Sequence, residues 1–148
     1  MRKLHGVLLI DDDDTSNFLN DRLLRRMNIA ENIRTFKNGK QAFDYLYNVS
    51  NHNYEQENHD YFQPELIFLD INMPVMDGFE FLDLYERLNP DFRKNIVMAV
   101  LTTSTHPQDT NRVKSYSAEY MTKPLTPEKV EALLKKYFPK QEENQSES

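Results

Sequence analysis

Three short runs along the chain are apolar without interruption: Val7-Leu8-Leu9-Ile10, Leu66-Ile67-Phe68-Leu69 and Ile96-Val97-Met98-Ala99-Val100-Leu101. Continuous runs of this length mark strands covered on both faces, the situation of a parallel sheet. Between and after them the spacing becomes that of amphipathic helices. Leu19, Leu23 and Met27 recur at every fourth residue; Ala42, Phe43, Leu46 and Tyr47 share a face. So do Phe81, Leu84, Tyr85 and Leu88, and later Val130, Leu133, Leu134 and Tyr137. Two weaker strands, Ile33 to Phe36 and Ala118 to Thr122, fill the gaps in the alternation. Thr105-His-Pro-Gln108 reads as a capping box, and Thr126-Pro127 as a cap residue followed by proline at the first helical position.

Five strands alternating with five helices predict an α/β fold: a five-stranded parallel sheet, doubly wound and flavodoxin-like. Each parallel crossover needs a helix and takes the right-handed route. Ligands in such sheets bind beyond the carboxyl ends of the strands.

The length, 148 residues, is that of one ordinary domain and leaves no room for a separate output module. Hydrophobic residues make up 39% and charged residues 28%, a globular balance. The absence of Cys excludes a disulfide scaffold, a thiolate metal site and a cysteine nucleophile. The apolar run at Val7 is too short for a signal peptide or membrane span, so a cytoplasmic protein without membrane contact is expected. The net charge of −6 is concentrated in Asp11 to Asp14 and in the last ten residues, which argues against a nucleic-acid-binding surface. Two segments depart from the compact plan. Asn48 to Gln63 is polar and longer than most loops; it reads as a tolerated surface insertion, with a partner-specific loop or a metal site at His52 and His59 as the alternatives. Residues 139–148 are expected to form a disordered acidic tail.

The chemistry lies at the strand ends. Asp11 and Asp12 follow the first strand, Asp70 the third, Thr102 and Thr103 the fourth, and Lys123 the fifth. A lone Asp-Asp pair is ordinarily a solvated turn, but four strand ends delivering this set to one sheet edge form a site. Three carboxylates so close oppose one another's ionisation unless a cation joins them. An oxygen-only donor set points to Mg²⁺. An EF-hand is excluded, because the sixth and twelfth positions counted from Asp11 are Ser16 and Arg22. A metal together with Lys123 is what a phosphoryl group needs.

The segments Leu8-Leu9-Ile10-Asp11-Asp12, Pro64 to Gly78 with its Asp70-Ile-Asn-Met-Pro-Val-Met-Asp-Gly run, Val100-Leu-Thr102 and Tyr120-Met-Thr-Lys123-Pro124 resemble the receiver domain of two-component response regulators. The resemblance covers Leu4 to Phe138, so residues 1–138 are read as one receiver domain, similar to the stand-alone chemotaxis regulators. It implies that Asp70 is the phospho-acceptor. It also implies that Asp11, Asp12, Asp70 and the main-chain carbonyl of Asn72 hold Mg²⁺, and that Thr102 and Lys123 contact phosphoryl oxygens. The Lys123–Pro124 bond is then cis, and Pro74 and Gly78 shape the loop after Asp70. Tyr120, three residues before the lysine, is the implied switch aromatic; by itself it reads as a half-buried strand residue. Asn72 and Ser104 lie where the family varies residues that tune phosphoryl lifetime. Thr103 departs from the small residue usual at its position, which leaves Thr102 and Thr103 as competing hydroxyls.

The expected function is Mg²⁺-dependent phosphoryl transfer to Asp70 from a phosphohistidine of a histidine kinase or phosphotransfer protein. The switch, which would catalyse its own phosphorylation and dephosphorylation, then acts on a downstream target protein through the surface near Tyr120. Two rivals are a haloacid-dehalogenase-type phosphatase with Asp11 as nucleophile in Asp11-x-Asp13-x-Thr15, and a receiver-like adaptor that works without phosphorylation. The first leaves the run from Asp70 to Gly78 unexplained, and the second does not need a complete acidic set.

Overall fold

The computed structural model describes residues 3–51, 61–103 and 105–139. In chain order the elements are β1 (Leu4–Ile10), α1 (Asp14–Met27), β2 (Ala30–Phe36), α2 (Gly39–Ser50), β3 (Leu66–Leu69), α3 (Gly78–Tyr85), α4 (Pro90–Arg93), β4 (Val97–Thr102), α5 (Pro107–Ser115), β5 (Glu119–Thr122) and α6 (Pro127–Tyr137). All strand pairs are parallel and the sheet order is β2-β1-β3-β4-β5. The order places β1, β3 and β4 inside the sheet, which is why their runs are apolar throughout.

Strand alternation divides the core into two layers. Leu8, Ile10, Ile67, Leu69, Met98 and Val100 face one way, into a cluster with Ala42, Leu46, Phe81, Leu82 and Val113 of α2, α3 and α5. Val7, Leu9, Leu66, Phe68, Ala99 and Leu101 face the other way, onto Leu24 of α1 and Val130, Leu133 and Leu134 of α6. Each of the Val, Leu, Ile, Phe and Met side chains, once buried, contributes about 1.5–3 kcal/mol of transfer free energy.

The five-stranded parallel sheet agrees with the sequence expectation, and the helices differ from it in particulars. A sixth helix, α4, is a single turn capped by the Asn89 side chain on Asp91 N, with Pro90 at its start. One turn is too short to show a helical period. In α1, Leu19 is 55% exposed, and the buried positions are Asn17 and Leu24. The start of that helix faces the carboxyl ends of β1 and β2, where main-chain carbonyls call for a donor rather than a leucine. In α2 the buried face holds Tyr45 and Val49, and Tyr47 is exposed. The cap of α5 is His106, whose Nδ1 accepts from Gln108 N, in place of Thr105. Thr126 caps α6 as expected, accepting from Lys129 N.

His52, His59, Ser104 and residues 140–148 lie outside the described residues. Among the described residues no helix is long and apolar enough to cross a membrane.

Candidate functional site

The four consecutive aspartates after β1 have four different surroundings. Asp11 is buried; its main-chain N donates to Phe36 O at 3.0 Å, and its Oδ1 accepts from Asp13 N at 2.9 Å. Asp12 is exposed. Asp13 caps α1 by accepting from Thr15 N, and Asp14 in the first helical turn pairs with Lys37 at 3.3 Å. Only the first two point to chemistry, since an acidic cap and an acidic first turn are what a helix N-terminus favours.

Asn17, which sequence reasoning missed, secures this turn. Its Nδ2 donates to Asp11 O at 2.8 Å and to Phe36 O at 3.2 Å, tying together the ends of β1 and β2. The available signal was a polar residue one turn into an amphipathic helix.

Asp70 follows β3 and is also buried, with its N donating to Ile10 O at 2.9 Å. Asn72 N donates to Asp70 Oδ1 at 3.3 Å, and Asn72 Nδ2 donates to Thr102 Oγ1 at 3.4 Å. Thr102 is fully buried at the end of β4 and Thr103 is exposed. Lys123 N donates to Thr102 O at 2.8 Å, and the Lys123–Pro124 bond is cis. Lys123 Nζ donates to Asp11 Oδ2 at 2.9 Å and lies 3.7 Å from Asp70 Oδ1. Gly78 lets α3 start against this floor: a Cβ there would lie 2.5 Å from Ile71 Cα and 2.9 Å from Asp70 O.

Three strand ends therefore bring Asp11, Asp12, Asp70 and Lys123 to one edge of the sheet, and Thr102 lies at a fourth. One carboxylate oxygen from each aspartate lies within 4.8 Å of the others. Burial and the neighbouring Asp11 charge push the Asp70 carboxyl up to about 6. Burial works to lower the Lys123 pKa, but the hydrogen bond to Asp11 and the charges of Asp70 and Asp11 outweigh it and leave it raised. The cleft thus holds more negative charge than one ammonium neutralises. Its donors are hard oxygens without Cys or His, which fits a cation such as Mg²⁺.

Tyr120 lies on β5 opposite Val100, half-buried, beside a groove between β5 and α6 lined also by Met121, Thr122 and Leu133. The structure does not bring it to the carboxylates.

The sequence model of the response regulator receiver domain matches residues 7–135. Response regulator Rcp1 of Synechocystis is 32% identical over 120 residues, covering 79% of this chain and 75% of the relative. A two-component response regulator from Cytophaga hutchinsonii superposes with a TM-score of 0.77 at 31% identity, covering 91% of this chain and 97% of that one. The phosphorylated cyanobacterial phytochrome response regulator RcpA superposes at 0.66 with 26% identity, covering 92% and 91%. The haloacid-dehalogenase alternative finds no support in these relatives. The chain belongs to the response regulator receiver domain family.

Proposed function

We propose that Asp70 is the phospho-acceptor of a phosphorylatable signalling switch, with a phosphohistidine of a histidine kinase or phosphotransfer protein as donor. The observation that supports this best is the meeting of the Asp11, Asp12 and Asp70 carboxylates with the Lys123 ammonium at the carboxyl edge of the sheet. A carboxylate oxygen of Asp70 attacks phosphorus, forming a P–O bond as the P–N bond to the donor imidazole breaks. Asp11, Asp12, Asp70 and the main-chain carbonyl of Asn72 are the residues that would hold Mg²⁺. When bound, that ion supplies charge neutralisation between the anionic nucleophile and the anionic donor.

Lys123 is a point charge on a flexible stem, able to leave Asp11 for a phosphoryl oxygen. The buried Thr102 hydroxyl, already engaged by Asn72, is the better placed of the two threonines to donate to the phosphoryl group. Its movement draws the β4–α5 connection inward and changes the space beside Tyr120, so that the surface of α5, β5 and α6 presents a different face to a target protein. The same acidic set serves hydrolysis of the aspartyl phosphate. That RcpA has been obtained phosphorylated supports the reading by likeness.

Peptide mapping after incubation with a histidine-phosphorylated phosphotransfer domain and Mg²⁺ tests the assignment. A hydroxylamine-labile phosphate on the Asp70 peptide is expected; a phosphate on the Asp11 peptide refutes it.

A further inference from the structure

On the first turn of α6, Lys129 turns its ammonium back toward the segment that carries Lys123. Nζ donates to Thr122 O at 2.7 Å, to Pro124 O at 2.9 Å and to Thr122 Oγ1 at 3.3 Å. An ammonium has three protons, and these three acceptors all belong to the two residues flanking Lys123. None of the three is charged, so the arrangement is not a surface ion pair. Lys129 itself is anchored: its main-chain N donates to the Thr126 cap at 3.2 Å, and the next residue, Val130, is buried in the core.

The geometry has a specific consequence for Lys123. Among the described residues β5 is an edge strand, with β4 on one side and no strand on the other. In the trans peptide unit joining Thr122 to Lys123, the N–H and the C=O point in opposite directions. The N–H donates to Thr102 O of β4 at 2.8 Å, and the C=O, turned to the open edge, accepts from Lys129. This peptide unit is therefore held from both sides, and the next carbonyl but one, of Pro124, is held by the same ammonium. The backbone from which the Lys123 side chain springs is clamped just where that chain begins its reach into the cleft.

We propose that Lys129 is a positioning residue for phosphoryl transfer, acting through Lys123: it fixes the Thr122–Pro124 segment so that the Lys123 ammonium stays between Asp11 and Asp70. The inference rests on the reading of Asp70 as phospho-acceptor. A displacement of about 1 Å at a catalytic group is enough to lower a rate by up to about a hundredfold. Lys123 has a long stem, and part of such a displacement can be absorbed by its rotamers, so a smaller loss is expected.

The test compares wild type and Lys129→Met in two measurements on the full chain. One is the rate of phosphorylation by acetyl phosphate with Mg²⁺. The other is the reactivity of each lysine amine toward acetic anhydride, read by peptide mass spectrometry on the metal-free folded protein. The expected result is labelling slowed about fivefold to tenfold at saturating donor, a coupling typical of groups in contact. Alongside it, the Lys123 amine becomes several-fold more reactive while the exposed Lys136 is unchanged. Labelling at the wild-type rate overturns the proposal, and so does slower labelling with Lys123 reactivity unchanged, the signature of a purely structural tie. Lys129→Gln, which keeps an amide donor, carries the same two measurements should the methionine variant fail to fold. If wild type itself takes no label at Asp70, the phospho-acceptor reading fails, and the wild-type arm shows that before any variant is compared.

Discussion

Lys123 sits closer to Asp11 than to Asp70: its Nζ is 2.9 Å from Asp11 Oδ2 and 3.7 Å from Asp70 Oδ1. Among the described residues this ammonium thus rests on a carboxylate proposed to hold the metal, within reach of the one proposed to take the phosphoryl group. Lys123→Met removes a positive charge that competes with a divalent cation for these carboxylates. Mg²⁺ is expected to bind several-fold more tightly and phosphorylation to slow by roughly tenfold or more, in line with the loss of one charged group from a phosphoryl-transfer site. Calorimetric Mg²⁺ titration beside acetyl phosphate labelling checks both directions.

The raised pKa of Asp70 makes a statement about stability. Burial, helped by Asp11, takes the folded value from the ordinary 3.8 up to about 6, so the folded chain holds this proton more tightly than the unfolded one. The protonated carboxyl carries no such cost below pH about 4; stability is lost as pH rises from there through about 6, and the full penalty stands at neutral pH. After allowance for screening at the cleft mouth, that penalty is about 2 kcal/mol in metal-free protein. Asp70→Asn is therefore expected to stabilise the metal-free chain by about that amount at pH 7 and by almost nothing at pH 4. Urea unfolding at the two pH values, with chelator present, measures the difference.

Val75 occupies the left-handed region at φ 70° with its side chain wholly exposed. A β-branched residue is strained there, and no burial repays the strain. Val75→Asn is expected to raise stability by about 1 kcal/mol. Thermal unfolding of the variant shows whether its midpoint moves up.

Gly78 is constrained by proximity rather than by its dihedral angles. Adding a methyl group drives it against Ile71 Cα and Asp70 O, both backbone atoms of the segment that carries the proposed phospho-acceptor Asp70. Gly78→Ala is expected to cost about 2 kcal/mol of stability and to slow phosphorylation as well, because the displaced atoms belong to Asp70 and its neighbour. Denaturant midpoints and labelling rates together separate this from a loss of stability alone.

The three interior strands were legible because burial on both faces leaves no alternation to misread, and Val7 to Ile10 and Leu66 to Leu69 lie in the sheet interior as expected. The meeting of Asp11, Asp12, Asp70 and Lys123 was legible because a parallel sheet sends every strand's carboxyl end to one edge, so position along the chain fixes position in space. What was not legible depends on tertiary register. The helix face of α1 that meets the sheet includes Asn17 instead of Leu19, because two carbonyls rather than a hydrophobic layer lie opposite it. The one-turn helix at Pro90 shows no period, and the cap at His106 depends on a ring nitrogen that a Ser/Thr rule does not anticipate. Periodicity likewise could not give the Asn72 to Thr102 contact, made across 30 residues of sequence. It favours Thr102 over Thr103 as the buried hydroxyl of the cleft.

If Asp70 accepts the phosphoryl group with the help of a divalent cation held beside it, the mass of the intact protein after incubation with acetyl phosphate shows it. Wild type and Asp70→Asn are each measured with Mg²⁺ and with chelator. A single phosphoryl addition is expected on wild type with Mg²⁺, lost in chelator and absent from Asp70→Asn under both conditions. Equal addition to Asp70→Asn, or addition to wild type that chelator leaves untouched, refutes Asp70 as the cation-dependent acceptor.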